Sequence, residues 1–488
     1  MTRRSLTVFA VLCTASSLVG PSLPAQEALR LTLPEAITRA QSQGPTAQAA
    51  RATRDAARQR DDAFDAALLP QLGLTGTVPS YNRSIINVVQ GDGSTIPRAQ
   101  DQMLGQVAMG ITQRLPVIGG DLFINSELSR LDATGATSFR RWSSAPISVG
   151  IRQDLLRPNR QRWDTREQVL RADIAERAYR EAMEDVAIAA ANAFFDYYTA
   201  KLNLENSLAN AAVNDTLYTL NTGRFEVGRI GENDLLQSEL ALLRSQVSLD
   251  GARLEHDRTL AALRLSLGLS AGSALEIIVP TEIPEFVADT LVAVAQALRN
   301  RAQMRDVELQ AVQADRRIAE ARFGSGFGGT LQASMGLNQT STVFDDVYRD
   351  LEEARRFNLS ISMPLVQWGG RSANVRAARF DGQRVAHTTR QTREQTVQEA
   401  HFAALQVALA RRQLTIAAKA DTVGAKRFEV TKNRYIIGRI GMDNLYQAQS
   451  EKDQALLGYL QALRGYWVAH YRLRRVTMYD FTTGAVIR

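Results

Sequence analysis

The spacing of apolar residues changes several times along the chain, and the changes divide it into segments. Over residues 31–67 the apolar and alanine positions recur at helical spacing. Thr32 and Glu35 stand at capping-box distance, and Pro34 is tolerated in a first turn, so a helix is predicted there. Gly44-Pro45 is expected to break or kink it. At Leu69-Pro70 the chain becomes rich in Gly, Ser, Thr and Pro, and the period falls towards two. Val107, Met109 and Ile111 alternate with Ala108, Gly110 and Thr112. Ile147, Val149 and Ile151 alternate with Ser148, Gly150 and Arg152, and Leu122 and Ile124 begin a similar run. This pattern predicts strands, either half-buried in a soluble β-domain or crossing a membrane as part of a barrel. Residues 81–102 and 132–145 read as polar loops between them.

From Thr165 the helical spacing continues for about sixty residues, on the order of 90–100 Å at the α-helical rise. A helix of that length is expected to pack sideways in a coiled-coil-like array. Residues 234–269 run back as a second helix ending at Gly268. Residues 270–285 form a break with room for one short strand at 275–279. The order then repeats. Residues 287–323 read as helix, 327–338 and 357–365 alternate on either side of a polar loop, 371–434 form a second long helix, and 444–475 return. Residues 476–488 read as irregular.

The two long helices end in related sequences, RFEVGRIGENDLLQ at 224–237 and RYIIGRIGMDNLYQ at 434–447, with seven of fourteen positions identical. A Gly-x-x-Gly between helical patterns reads as a turn, because glycine accepts the left-handed backbone that closes a helix. Two helical hairpins follow, tipped by Gly228, Arg229 and Gly231 and by Gly438, Arg439 and Gly441. A repeat near half the chain length implies that the whole architecture is duplicated.

Composition adds the compartment. Arg3 and Arg4 precede an apolar run at 6–19 and a PSLPA segment at 21–25. This is the pattern of a secretory signal peptide, with cleavage expected after Ala25. The single cysteine, Cys13, lies within it, preceded by Leu12 rather than the small residue a lipoprotein signal needs. A mature chain without cysteine has no disulfide framework. Removing 1–25 takes away Arg3 and Arg4 and no acid, so the net charge falls from +7 to +5. Basic and acidic residues are interspersed, which argues for solvated helix faces and against a nucleic-acid groove. No later window holds about 18 apolar residues, so no membrane-spanning helix is expected, and an exported chain of this kind is either soluble or a β-barrel.

Little points to chemistry. His256, His387, His401 and His470 are scattered without metal-site spacing. Gly324, Gly326 and Gly329 match G-x-G-x-x-G in an inverted context, helix before strand, so they read as a helix-to-strand transition rather than a dinucleotide site. No catalysis, cofactor or metal is expected.

These segments resemble the TolC-like outer-membrane efflux protein family. The resemblance is carried by LTLPEAITRA at the first helix, Ala67–Pro70 entering the strands, and RQDLLRP at 152–158 leading into the long helix. MPLVQWGG at 363–370 and the two Arg-Phe/Tyr-x-x-Gly tips complete it. It implies an α+β membrane protein with a duplicated plan of helix, strands and long helical hairpin. The first repeat would occupy 26–268, with strands at about 70–157 and a hairpin at about 160–268. An equatorial linker would follow at 269–286, then the second repeat at 287–475, with strands at about 327–367 and a hairpin at about 371–475. Residues 476–488 would form a C-terminal segment. Three copies would close one β-barrel in outer-membrane lipid, continued into the periplasm by an α-helical barrel. The implied function is the exit duct of a tripartite efflux system, joined through a periplasmic adaptor to an inner-membrane pump that supplies the energy. An outer-membrane component of a type I protein-secretion system is the alternative. By resemblance the tips would dock the adaptor, and Asp234, Asn444 and Gln447 would line the entrance constriction. Because Asn444 and Gln447 are neutral where similar proteins often carry acids, Asp234 would supply most of that ring's charge. Similar proteins carry two strands per half. Here the first half has room for four, with LPVIGG at 115–120 as the turn of an added hairpin, which could enlarge the barrel, sit inside it or lie elsewhere.

Overall fold

The computed structural model describes residues 29–89, 91–135, 138–280, 283–324 and 326–487. The leader read at 1–25, with Cys13, lies outside the described residues. The elements in chain order are β1 (Leu29–Thr32), α1 (Leu33–Gln43), α2 (Pro45–Ala66), β2 (Gln71–Val89), β3 (Thr95–Leu115), β4 (Gly120–Gly135), β5 (Phe139–Leu155), α3 (Arg160–Glu226) and α4 (Glu232–Ser266). They continue with β6 (Leu275–Ile278), α5 (Thr290–Asn300), α6 (Ala302–Ala319), β7 (Gly328–Ser341), β8 (Glu352–Ser362), α7 (Gly370–Ile436), α8 (Met442–Thr477), β9 (Tyr479–Asp480) and β10 (Ala485–Val486). A π turn at Glu320–Gly324 joins α6 to β7, and a 3-10 turn at Asp345–Tyr348 lies between β7 and β8.

The long helices α3 and α7 each have 67 residues, about 100 Å at the α-helical rise. Below the middle of the molecule the packed pairs are α3 with α4, α3 with α8, and α7 with α8, so the helices lie in the order α4–α3–α8–α7. Towards the strands, contacts of α2 with α3, α3 with α6 and α6 with α7 give a matching layer. Between the two layers a waist holds the largest core, in which Phe194, Phe195, Leu263, Leu267 and Tyr466 are fully buried. Here β1 pairs in parallel with β6, tying the start of one half to the start of the other.

Expected breaks and caps are present where sequence chemistry demanded them. Thr32 and Glu35 form the capping box, and Gly44 separates α1 from α2 with φ −63° and ψ 142°. The second half departs from the sequence reading. The continuous helix expected over 287–323 is interrupted at Arg301, whose φ −67° and ψ 141° match Gly44. No proline or glycine marks that break. It is held by side chains: Glu181 accepts from the freed Ala302 N–H at 2.7 Å, and Arg301 pairs with Glu399 at 2.6 Å. The start of the chain reads as helix from 31, yet 29–32 is the strand β1. The end is more regular than expected, because α8 continues to Thr477 and β9 and β10 close a small hairpin.

The strand region also corrects the sequence reading. Residues 81–102 and 132–145 are mostly strand, not polar loops. Six strands form one antiparallel sheet in the order β2-β3-β4-β5-β7-β8. The β2–β3 ladder runs from Gln71↔Thr112 to Val89↔Thr95, and the β4–β5 ladder from Gly120↔Gln153 to Ala133↔Phe139. A ladder needs only paired backbone groups, so polar side chains on both faces do not end it where both faces meet water.

Candidate functional site

Two regions concentrate unusual surface: the sheet at one end and the helix tips at the other. In the sheet, residues directly opposite each other share a face. One row reads Leu72, Ile111, Ile124, Val149 and Met335 across β2, β3, β4, β5 and β7. On β8 the same face carries Phe357, Leu359 and Ile361. All of these are exposed, Leu72 and Met335 at 68% and 63%. The reverse face is mostly small or polar, with Gly110, Thr112, Asn125, Ser148, Arg152, Ser334 and Asn358, although Phe123 lies on it over Gly150 and Leu104 and Leu131 face it further along. Along β4 the apolar face ends at Arg130 and Asp132, which form an ion-paired group with Arg140. Trp142, Phe344 and Tyr348 cluster at that end, with ring centroids 5.0 and 6.2 Å apart. Phe323, Phe327 and Trp368 are exposed at the helix end. An apolar outer band between two aromatic girdles, with a polar reverse face, is the pattern of a sheet that meets lipid on one side and water on the other.

The tips have the predicted turns. Val227 caps α3, and Gly228 follows at φ +70°. Its N–H reaches Phe225 O at 2.8 Å, and Arg229 N–H reaches Arg224 O at 2.8 Å. The second tip repeats this, with Gly438 at φ +73°, Gly438 N–H to Tyr435 O at 2.9 Å and Arg439 N–H to Arg434 O at 2.9 Å. Both are Schellman motifs. Only the first glycine of each pair is left-handed. Gly231 and Gly441 are the N-caps of α4 and α8, with φ −80° and −76°, a backbone that other residues adopt.

Arg229 and Arg439 are exposed and form no ion pair among the described residues. Asp234 is half-buried in the first turn of α4. Asn444 and Gln447 lie on the open face of α8, Gln447 donating to Glu451 at 3.1 Å. Among the described residues no hydrogen bond joins Asp234 to either of them.

What binds one tip to the other was not read from sequence. Tyr435 OH donates to Asn221 Oδ1 at 2.8 Å in a buried contact. Arg224 donates to Ile436 O at 2.9 Å and lies over the Tyr435 ring. Gln237 donates to Asp443 at 2.8 Å. Beneath them Leu217, Tyr435, Met442 and Leu445 form a small separate core. The repeat gave a partial signal, since Phe225 and Tyr435 occupy equivalent places and differ by one hydroxyl. Tyr435 turns inward, whereas Phe225 is 40% exposed.

Above the tips the seam between α3 and α8 is polar. Ser207, Asn210, Asn214, Leu217 and Asn221 succeed one another at three- and four-residue steps and are buried. Asn206 and Asn210 donate to Asp453 at 2.7 and 2.9 Å, and Lys452 donates to Asn210 at 3.0 Å. The outer flanks are the reverse. On α7, Phe402, Leu409, Ile416, Val423 and Val430, followed by Ile437, are all exposed at strict seven-residue spacing. On α4, Leu240, Val247 and Leu254 do the same. A seven-residue apolar repeat is the signature of a left-handed helix–helix seam.

His470 sits in an aromatic group with Phe286, Trp467 and Tyr471 at the waist. Burial, with Arg474 nearby, pushes its pKa down to about 4. Burial raises the neighbouring Glu184 carboxyl despite Arg474. Among the described residues no three or more metal-ligating side chains come together, and no helix is long and apolar enough to cross a membrane.

The family profile described as "Outer membrane efflux protein" matches residues 98–269 and 293–477, well over half of the chain. The chain belongs to the outer membrane efflux protein family. No curated protein sequence matches it. Among solved structures, this efflux protein is similar to the Campylobacter jejuni CmeC outer membrane channel at 14% identity and a TM-score of 0.66. That match covers 91% of this chain and 85% of the other. It is similar to the outer membrane protein VceC of Vibrio cholerae at 15% identity and a TM-score of 0.65, covering 92% and 96%. The open state of the Neisseria gonorrhoeae MtrE outer membrane channel matches at 15% identity and a TM-score of 0.61, covering 91% and 88%. At these identities the likeness is one of fold. As a member of its family the efflux protein is an outer-membrane protein, its sheet in the membrane and its helices extending into the periplasm.

Proposed function

We propose that three copies of this chain form the exit duct of a tripartite efflux system. Small molecules delivered by an inner-membrane pump through a periplasmic adaptor would leave by it without entering the periplasm. The observation that carries the reading is the pairing of unfinished edges at both levels. The sheet has two open edges in a setting where lipid cannot satisfy them. The flanks of the helical layer, α4 and α7, carry exposed heptad rows that need a helix partner. A ring of copies answers both demands at once, with α7 of one copy against α4 of the next. The paired tips close the periplasmic end. Arg229 and Arg439, exposed and without an ion pair among the described residues, are the adaptor-docking residues in this reading, on turns closed by Gly228 and Gly438, with Gly231 and Gly441 capping the helices that follow. Asp234, Asn444 and Gln447 line the entrance. The chain itself does no catalysis and needs no cofactor.

The test combines two measurements on detergent-extracted protein. Unheated gel migration should give a trimer that heating dissociates, and planar bilayers should show one conducting unit per trimer. A monomer without conductance refutes the reading. Cross-linking at Arg229→Cys or Arg439→Cys in intact cells should capture an adaptor. Capture of an ATP-driven exporter complex instead would place the duct in protein secretion.

A further inference from the structure

We propose that the wall of the exit barrel contains eighteen strands, six from each of three copies, with the hairpin β3–β4 built into the wall rather than plugging or hanging from it. The proposal rests on the trimeric duct reading and deepens it.

The chain's two halves differ in their number of strands. The second half passes from α6 to α7 through two strands, whereas the first passes from α2 to α3 through four. The additional pair is continuous with the sheet on both sides, β3 laddered to β2 and β4 to β5. Its outward residues, Ile111 and Ile124, continue the lipid-facing row without a gap, and its inward residues Gly110, Thr112 and Asn125 continue the polar face, with Phe123 the one bulky apolar side chain beside them.

The hairpin's turn is also fastened to the helical body. Asn159, the N-cap of α3, donates to Pro116 O at 2.7 Å, and Gln161 donates to Gly120 O at 3.3 Å. Gln153 on β5 donates to Ile118 O at 2.9 Å. Gly119 at φ +77° lies so close to Asn159 that an added Cβ would stand 2.6 Å from its side chain. Swinging the hairpin into the lumen would break all of these contacts and turn Ile111 and Ile124 towards water.

Closure follows from strand number. Six is even, so in an antiparallel sheet β2 and β8 run in opposite directions, and β8 of one copy meets β2 of the next in antiparallel pairing. Repeating this three times removes every edge. With strands about 4.8 Å apart and tilted by about 40°, eighteen enclose a ring about 36 Å across, backbone to backbone. The twelve that two strands per half would give enclose about 24 Å. Twelve helices at about 9–10 Å spacing enclose about 36 Å. The wider barrel therefore continues the tunnel at about the same backbone width.

The test is disulfide trapping in cells, in a Cys13→Ser background. Cysteines at Thr75 or Thr77 on β2 are combined in turn with cysteines at Asn358 or Ser360 on β8. At least one combination should give disulfide-linked trimers on non-reducing gels, and a strand count from electron cryomicroscopy of the detergent-extracted protein should give eighteen. The control pairs Asn125→Cys on β4 with Ser360→Cys. Cross-linking through β4, or a twelve-stranded wall, overturns the proposal and leaves the trimeric duct standing. No cross-link from any pair, together with a monomer on unheated gels, overturns both.

Discussion

Replacing Gly438 by alanine and Gly441 by serine should perturb one tip in opposite directions. Neither glycine has an atom within 4 Å of the place a Cβ would occupy, so the difference between them is purely one of backbone. Gly438 stands at φ +73°, where an L-residue costs about 1–2 kcal/mol. Gly441 is an extended N-cap at φ −76° and ψ 166°. There serine adopts the same conformation, and its hydroxyl accepts from the first turn of α8, a gain of a few tenths of a kcal/mol over glycine. Hydrogen exchange read by mass spectrometry on peptides covering 430–446 measures the local opening of this tip directly. Gly438→Ala should speed exchange there by a factor of about 5–30, the equivalent of 1–2 kcal/mol. Gly441→Ser should leave it unchanged or slightly slower. Gly228→Ala and Gly231→Ser should repeat the contrast at the first tip. Equal effects from the two glycines of a pair, or acceleration by the serine, would refute the left-handed cap as what closes the turn.

Three further outcomes are expected. Ile416 is 63% exposed in the single chain, so Ile416→Glu should leave the helical content of the monomer unchanged while lowering the temperature at which trimers dissociate on gels. His470 has a folded pKa of about 4 against an ordinary 6.5, so the unfolded chain binds the extra proton first as pH falls. Its contribution is therefore full above pH 6.5 and lost between 6.5 and 4, by about 3 kcal/mol, and thermal melts of His470→Phe should show a shallower acid loss than the parent. Glu184, whose pKa is raised, acts in the reverse sense and is common to both proteins. Asp234→Asn should reduce cation selectivity in single-channel recordings, and unchanged selectivity would remove Asp234 from the entrance ring.

The long helices and their tips were legible because their signals are local: period, absence of proline and a repeated glycine turn. Alternation likewise revealed the lipid-facing parts of the strands, where Val107, Met109 and Ile111 mark one face. It vanished where both faces meet water, so 81–102 and 132–145 looked like loops although their backbones remain paired. The break at Arg301 was hidden for another reason. Its freed N–H is satisfied by Glu181, 121 positions away, and no local rule reports such a partner. The tip contacts through Asn221, Arg224, Tyr435 and Asp443 are of the same kind. The repeat showed which residues are equivalent, but only the fold shows that Tyr435 turns inward while Phe225 does not.

The asparagine seam between α3 and α8 has a consequence for how this end of the protein can move. A leucine seam resists parting because separation exposes oily surface, and the exposed surface then adheres to whatever is near. Asn206, Asn210, Lys452 and Asp453 bond to one another with groups that water solvates nearly as well. Parting the two hairpins along this stretch therefore trades internal hydrogen bonds for hydration, and the apolar surface it exposes is confined to the small core of Leu217, Tyr435, Met442 and Leu445 at the tips. The polar seam thus costs less exposed apolar surface to part than the aromatic waist above it, so any opening of this end is expected below the waist and not through it.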